Sequence, residues 1–225
     1  MRENHIRSGH LLIAEPFMVD PHFKRSVILL CEHAQEGSLG FILNKSLDMK
    51  VDELIADFPN FDALVYFGGP VQTDTIHYIH NLGDLLEDSQ KIAKGVYWGG
   101  DFEKLKFLIS TKMIEPHNIR FFVGYSGWSE GQLVEEMAYG SWMMDKMDAN
   151  YLFRNQAKGL WRDVLENKKS LHKMSVQAFP GCGNARLVNS IPTPSIWHLG
   201  DHGIGVALIF QYVSPKSLGL VAEQV

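Results

Sequence analysis

A chain of 225 residues with 45% apolar and 21% charged content is long enough to bury a sizeable core in one domain. The formal net charge of −5, with no basic run longer than Lys168-Lys169, removes the generic attraction for a phosphate backbone, so direct nucleic-acid binding is not expected. No apolar run approaches the roughly 20 residues of a membrane helix, no basic-apolar-small leader opens the chain, and Cys31 and Cys182 make no disulfide framework, which together predict a cytoplasmic protein with reduced thiols and no membrane contact.

In chain order, Leu11–Ala14, Val27–Cys31 and Leu39–Leu43 are compact apolar runs that predict strands. The short loop Ala34–Gly37 suits a hairpin between the last two. Val51, Leu54, Ile55 and Phe58 fall at helical spacing before Pro59. Leu64–Phe67 and Ile76–Ile79 predict strands on either side of a Gly68-Gly69-Pro70 turn. Val96–Trp98 predicts a short strand, and Phe102, Leu105, Leu108 and Ile109 a helix capped by Asp101. Ile119–Val123 is β-prone. After it, Gly124 and Gly127 bracket Tyr125 and Ser126 in an expected tight turn, and Ser129 with Gln132 forms a capping-box pattern for a helix over Glu130–Tyr139. A strand at Trp142–Met144 and helices near Ala149–Phe153 and Ala157–Leu165 follow. Strands outnumber helices and arrive in hairpin order, which predicts an α+β fold with a mixed, mostly antiparallel, strongly bent sheet. Residues 1–189 form the expected domain. From Ser190 the chain reads as a carboxy-terminal extension of unknown structure in which Gly205–Val213 could make one strand.

Five blocks carry a family resemblance in order. They are Gly9–His33, Gly37-Ser-Leu-Gly-Phe-Ile-Leu-Asn44, Phe67-Gly-Gly-Pro-Val71, Gly95-Val-Tyr-Trp-Gly-Gly100 and Arg120–Leu133. Over roughly Ile6 to Pro180 the chain resembles the bacterial AlgH family, also called YqgE-like. The resemblance implies a mixed sheet curled towards a half-barrel with helices packed outside. It carries a transcriptional-regulator label tied to exopolysaccharide production, and no established biochemical activity.

Several residues could carry chemistry. Ser126 invites comparison with a nucleophile elbow, but Trp128 stands where that motif needs a small residue. Cys31 and His33 alternate onto one face of a strand about 6.6 Å apart, which is long for a thiol–imidazole pair. The pairs Cys31/His33, His77/His80 and His198/His202 complete no ligand set, so no metal and no cofactor are expected. Asp20, Arg25 and Ser26 lie in a loop running into a strand, with His33 and Asn44 on adjoining segments. They form a binding constellation, or else a turn begun by Asp20 and a structural ion pair of Arg25. Gly68-Gly69-Pro70 is a close-approach turn without the lysine of a phosphate loop.

The candidate ligand-binding set is therefore Asp20, Arg25, Ser26, His33, Asn44, Gly68, Gly69, Arg120, Tyr125, Ser126 and Trp128, with no catalytic residue assigned. The leading expectation is a non-enzymatic protein that binds an unknown small polar ligand or a protein partner, in a regulatory role. The alternatives are a hydrolase or thiol-dependent enzyme using Ser126 or Cys31, and a DNA-linked transcriptional regulator.

Overall fold

Apolar runs such as Leu11–Ala14 show no polar alternation because their strands are covered on both faces. The structure, a computed structural model, describes residues 6–153, 159–168 and 211–212. The strands are β1 (His10–Ala14), β2 (Val27–Ala34), β3 (Gly37–Ile42), β4 (Ser46–Lys50), β5 (Leu64–Phe67), β6 (Val71–His80), β7 (Gln90–Ala93), β8 (Val96–Trp98), β9 (Ile119–Ser129), β10 (Trp142–Lys146) and β11 (Gln211–Tyr212). The helices are α1 (Val51–Leu54), α2 (Phe102–Ser110), α3 (Gln132–Ala138) and α4 (Asn150–Phe153), with α5 over 160–168.

The sheet order is β10-β1-β2-β3-β9-β6-β8-β7. Every neighbouring pair along that path is antiparallel. β9 is its axis. One edge of β9 pairs with β6, while the other is shared between β3, opposite Ser126–Ser129, and β5, parallel to Phe121–Val123. A strand with different partners along its length must twist strongly, and the result is the curled half-barrel of an α+β fold.

Three cores follow from this curl. Leu11, Leu29, Phe41, Trp98 and Phe122 pack beneath α4 and α5. Val65, Ile76, Tyr78 and Phe121 meet Leu105, Leu108 and Ile109 of α2. Leu12, Ile28, Leu30 and Ile42 meet Trp128, Leu133 and Trp142 beside α3. Leu11 and Leu12 thus face opposite cores, as the period of a strand requires. Each such buried side chain stabilises by roughly 1.5–3 kcal/mol.

Several expected boundaries move. The helical spacing from Val51 to Phe58 yields one turn, because Ile55 leaves the helix in an extended conformation. Asp101 does cap α2, its Oδ1 accepting from the Lys104 amide at 2.9 Å. β4 and β7 were not marked by apolar runs, since Ser46–Lys50 is mostly exposed and Gln90–Lys91 is fully so. The largest correction concerns the expected turn at Gly124–Gly127. The chain there continues as one eleven-residue strand, and α3 starts only at Gln132 behind a left-handed Gly131 with φ of 72°. Of the two glycines, only Gly124 is left-handed, at 63°. Its position coincides with the register break between Val71↔Tyr125 and Ile76↔Val123, so it kinks a strand and does not close a turn. Of the expected Gly205–Val213 strand, Gln211–Tyr212 is seen paired parallel to Thr75–Ile76 of β6, and the remainder lies outside the described residues.

Candidate functional site

The loop between β1 and β2, residues 15–26, holds Asp20, Arg25 and Ser26, and Asn44 reaches it from beyond the end of β3. Asp20 Oδ1 accepts from the amides of His22 at 2.7 Å and Phe23 at 3.3 Å, an Asx turn that starts the return of the chain. Arg25 holds a left-handed φ of 54°, and its carbonyl accepts from Asn44 Nδ2 at 2.8 Å. Asn44 Oδ1 takes the Val27 amide at 2.9 Å, so one side chain clamps both sides of the loop's exit. Lys45 Nζ donates to the carbonyls of Pro21 and His22 at 3.1 and 2.5 Å. The Arg25 guanidinium lies 6.0 Å from the Trp161 ring of α5 in a cation–π contact, where an ion pair is one of the two readings of the sequence. Ser26 is buried, and its hydroxyl has no partner among the described residues. Asp20, Arg25, Ser26 and Asn44 are therefore neighbours, and the side chains of Asp20 and Asn44 hold the loop's own backbone while the Arg25 guanidinium lies against Trp161.

What this clamp presents is apolar. Phe17 and Val19 at the loop's tip are 86% and 74% exposed, while Met18 and Phe23 turn inward against the core that holds Trp128 and Trp142.

The other expected site residues are spread through the sheet. His33 sits near the far end of β2 with Nδ1 2.7 Å from Ser38 Oγ across the hairpin. Gly68 and Gly69 are needed for close approach: a β-carbon at Gly68 would lie 2.2 Å from the Gly124 carbonyl, and one at Gly69 2.3 Å from the Tyr125 carbonyl. Arg120 is buried, with Nη1 donating to the Leu43 carbonyl at 2.9 Å and the guanidinium 4.4 Å from the Tyr66 ring centre. Burial lowers its pKa, with Tyr66 opposing. Tyr125 is half-buried, edge-on to His77 with ring centres 6.0 Å apart, and burial raises its pKa. Trp128 Nε1 donates to Glu136 Oε2 at 3.0 Å, and Trp142 Nε1 to the same oxygen at 2.7 Å. Glu136 is thus the polar anchor joining β9, α3 and β10, a role that no local motif announces.

Neither candidate nucleophile is presented to solvent. Ser126 lies on β9 with no exposed surface, and its Oγ donates to the Gly68 carbonyl at 3.0 Å. The strand–turn–helix geometry of a nucleophile elbow is absent there, because the strand runs on to Ser129. Cys31 sits at a bulge between Leu30 and Glu32 and is fully buried. Burial first, then the Glu32 charge, holds its thiol well above the ordinary range, which opposes thiolate formation. Among the described residues no three His, Cys, Asp or Glu side chains converge as a metal site. His198, His202 and Cys182 lie outside those residues. No helix among the described residues is long and apolar enough to cross a membrane.

Two shallow cavities were not foreshadowed by any motif. One of about 450 Å³ lies beside Asp84, Glu87 and Tyr97, where Glu87 already pairs with Lys104 at 2.6 Å. The other, of about 350 Å³, lies between Arg7–His10 and Lys146.

The half-barrel fold and the sequence of the chain are both similar to those of known proteins. Residues 11–172 match the AlgH-like family, and the chain belongs to that family. It is 44% identical over 163 residues to a UPF0301 protein of Chlorobaculum parvum, across 72% of this chain and 87% of that one. It is 41% identical over 160 residues to a UPF0301 protein of Parabacteroides distasonis, across 70% and 81%. Its fold is similar to the solution structure of the AlgH protein from Pseudomonas aeruginosa, with a TM-score of 0.59 and 24% identity over 82% of this chain and 100% of that one. A crystal structure of a Corynebacterium diphtheriae protein gives a TM-score of 0.61 and 23% identity over 74% and 90%.

Proposed function

We propose that this AlgH-like protein is a non-enzymatic binding protein that engages a protein partner through the β1–β2 loop. The observation that carries the reading is the exposure of Phe17 at 86% and Val19 at 74% on a loop whose backbone is pinned by Asp20, Asn44 and Lys45. A single exposed apolar side chain needs no explanation. Two of them on a preorganised loop do, because a loop already ordered gives up less conformational entropy when a partner covers it. Loops held by a rigid scaffold are also where recognition residues concentrate. Recruitment of a partner is the way such a protein would take part in regulation.

An enzymatic reading that uses Ser126 or Cys31 is weakened by the lack of exposed surface at both residues. The test compares immobilised wild type with Phe17→Ser/Val19→Ser in a lysate of the source organism, followed by titration calorimetry with whichever purified protein is retained. Both substitutions lie on exposed side chains, so thermal unfolding is expected to change little. A protein bound stoichiometrically by wild type and lost by the double variant is expected. Equal binding by both, or none by either, overturns the reading.

A further inference from the structure

A sheet edge presents a row of backbone donors and acceptors, and the edges of this half-barrel are not guarded alike. Among the described residues β4, β7 and β10 each pair on one side only. Asp48 and Lys50 charge the β4 edge and Lys91 that of β7, while Lys168 Nζ of α5 donates to the Met144 carbonyl of β10. Charges and caps of this kind discourage the addition of a further strand. β6 is different. Its first edge is taken by β9 along most of its length, but on the second β8 reaches only Ile79 and His80. Between Val71 and Tyr78 it carries no Lys, Arg or Pro, and its one carboxylate, Asp74, sits in the irregular stretch between the Val71 and Ile76 pairs. That stretch is held from within: Gln72 is left-handed with φ of 45°, and its carbonyl accepts from Thr75 Oγ1 at 2.7 Å.

The Tyr78 carbonyl accepts from the Gly99 amide at 3.0 Å, which turns the backbone groups of Tyr78 towards β8. A strand presents every second residue to the same edge, so Ile76 offers its N–H and carbonyl there as well. Gln211–Tyr212 is seated at that point, parallel, with Tyr212 in register with Ile76. The seat lies inside the family match over 11–172, and its occupant lies outside it. Two parallel rungs are a weak hold, since parallel pairing is the less stable kind per residue. A longer extended chain brings more main-chain rungs to the same edge and displaces it. We propose that the β6 edge at Thr75–His77 accepts an extended, proline-free peptide of a partner protein, and that Gln211–Tyr212 occupies it as an internal competitor. The surface is separate from the β1–β2 loop and does not depend on it.

The experiment uses the full chain and a full-length variant, Gln211→Pro/Tyr212→Pro, in which proline removes the two amide donors of the internal strand. The probe is a fluorescein-labelled peptide with the sequence Ala207–Lys216, followed by anisotropy and by nuclear magnetic resonance. Saturable one-to-one binding is expected, at least about tenfold tighter for the variant than for wild type, because the tethered competitor is gone. Amide shifts should centre on Thr75–His77. The same peptide N-methylated along its backbone should not bind, since strand addition uses main-chain donors. In wild type, saturating peptide should move the Gln211 and Tyr212 amides away from their peptide-free positions, a readout that needs no variant. Phe17→Ser/Val19→Ser should bind the peptide as wild type does, which separates this edge from the loop. Absence of binding by the variant, equal affinity of variant and wild type, binding of the N-methylated peptide, or shifts away from β6 overturn the proposal. A variant that dimerises and ignores the peptide also overturns it, in favour of a second copy as the occupant.

Discussion

His80 is buried with its ring stacked on Tyr97, centres 5.8 Å apart and planes 14° from parallel. Its Nε2–H donates to the Gly99 carbonyl at 2.8 Å, while Nδ1 accepts from the Leu82 amide at 3.2 Å. Both nitrogens are thus used by the neutral ring, and a proton added at Nδ1 would face another donor. Burial lowers the pKa to about 4, against the upward pull of the Gly99 carbonyl. A histidine depressed in the folded state contributes stability that is complete above its unfolded pKa, near 6.5, and is lost as pH falls through the folded value. Urea unfolding of wild type is therefore expected to lose up to about 3 kcal/mol from this group between pH 6.5 and pH 4. His80→Gln, less stable at pH 7, should show a visibly flatter profile across that window. Parallel profiles would mean that the ring titrates normally. No sequence pattern announces this role: His77 and His80 invited a metal reading through their spacing alone, and partners such as Gly99 and Leu82 are set by tertiary structure. Asn44 is similar, since the residue type suggested binding and only the fold shows it clamping the loop.

At the scale of elements, β9 is where local spelling and tertiary context disagree most. Two glycines around a serine spell a turn, but Ile119–Ser129 stays extended because both of its edges are occupied by other strands. A β-carbon at Gly124 would sit 2.6 Å from the Gly69 carbonyl and 2.8 Å from that of Val71, on backbone already left-handed at 63°. At Gly127 the nearest atoms would be Tyr125 Cε2 at 3.3 Å and Val71 Cγ2 at 3.6 Å, with no left-handed φ. Gly124→Ala is therefore expected to destabilise by about 2 kcal/mol or more, and Gly127→Ala by under about 1 kcal/mol. Chemical denaturation ranks the pair, and the reverse order would restore the turn. The strands that could be read in advance were those apolar on both faces, such as Val27–Cys31 and Val96–Trp98. β4 and β7 could not, because backbone pairing to a neighbour, and not burial of their side chains, makes them strands. The capping-box reading was half legible: Gln132 Oε1 does accept from the Ser129 amide at 3.0 Å, but the Ser129 hydroxyl points to the same oxygen at 3.2 Å and leaves the helix start to Gly131.

For the molecule as a whole, strand order in the sequence argued for an antiparallel α+β fold, whereas the half-barrel curl came from family resemblance. Curl depends on β9 dividing one edge between β3 and β5, a long-range fact that periodicity does not encode. The family match ends at residue 172, yet Gln211 and Tyr212 pair with Thr75 and Ile76 on the stretch of β6 that β8 leaves uncovered. Among the described residues the three cores are built from positions at or before 165, and we propose that Gln211–Tyr212 serves β6 as an edge cover. Two ladder pairs are worth about 1–2 kcal/mol, so truncation after Asn189 should lower the midpoint of thermal unfolding by less than about 8 °C. The freed edge of β6 should then show in another way, as concentration-dependent association in sedimentation or size-exclusion experiments, since an unpaired edge is a template for a second chain. A truncated protein that is molten or insoluble at every concentration would mean that the tail is a core element. One that is monomeric and unchanged in stability would mean that the β6–β11 pairing contributes nothing in solution.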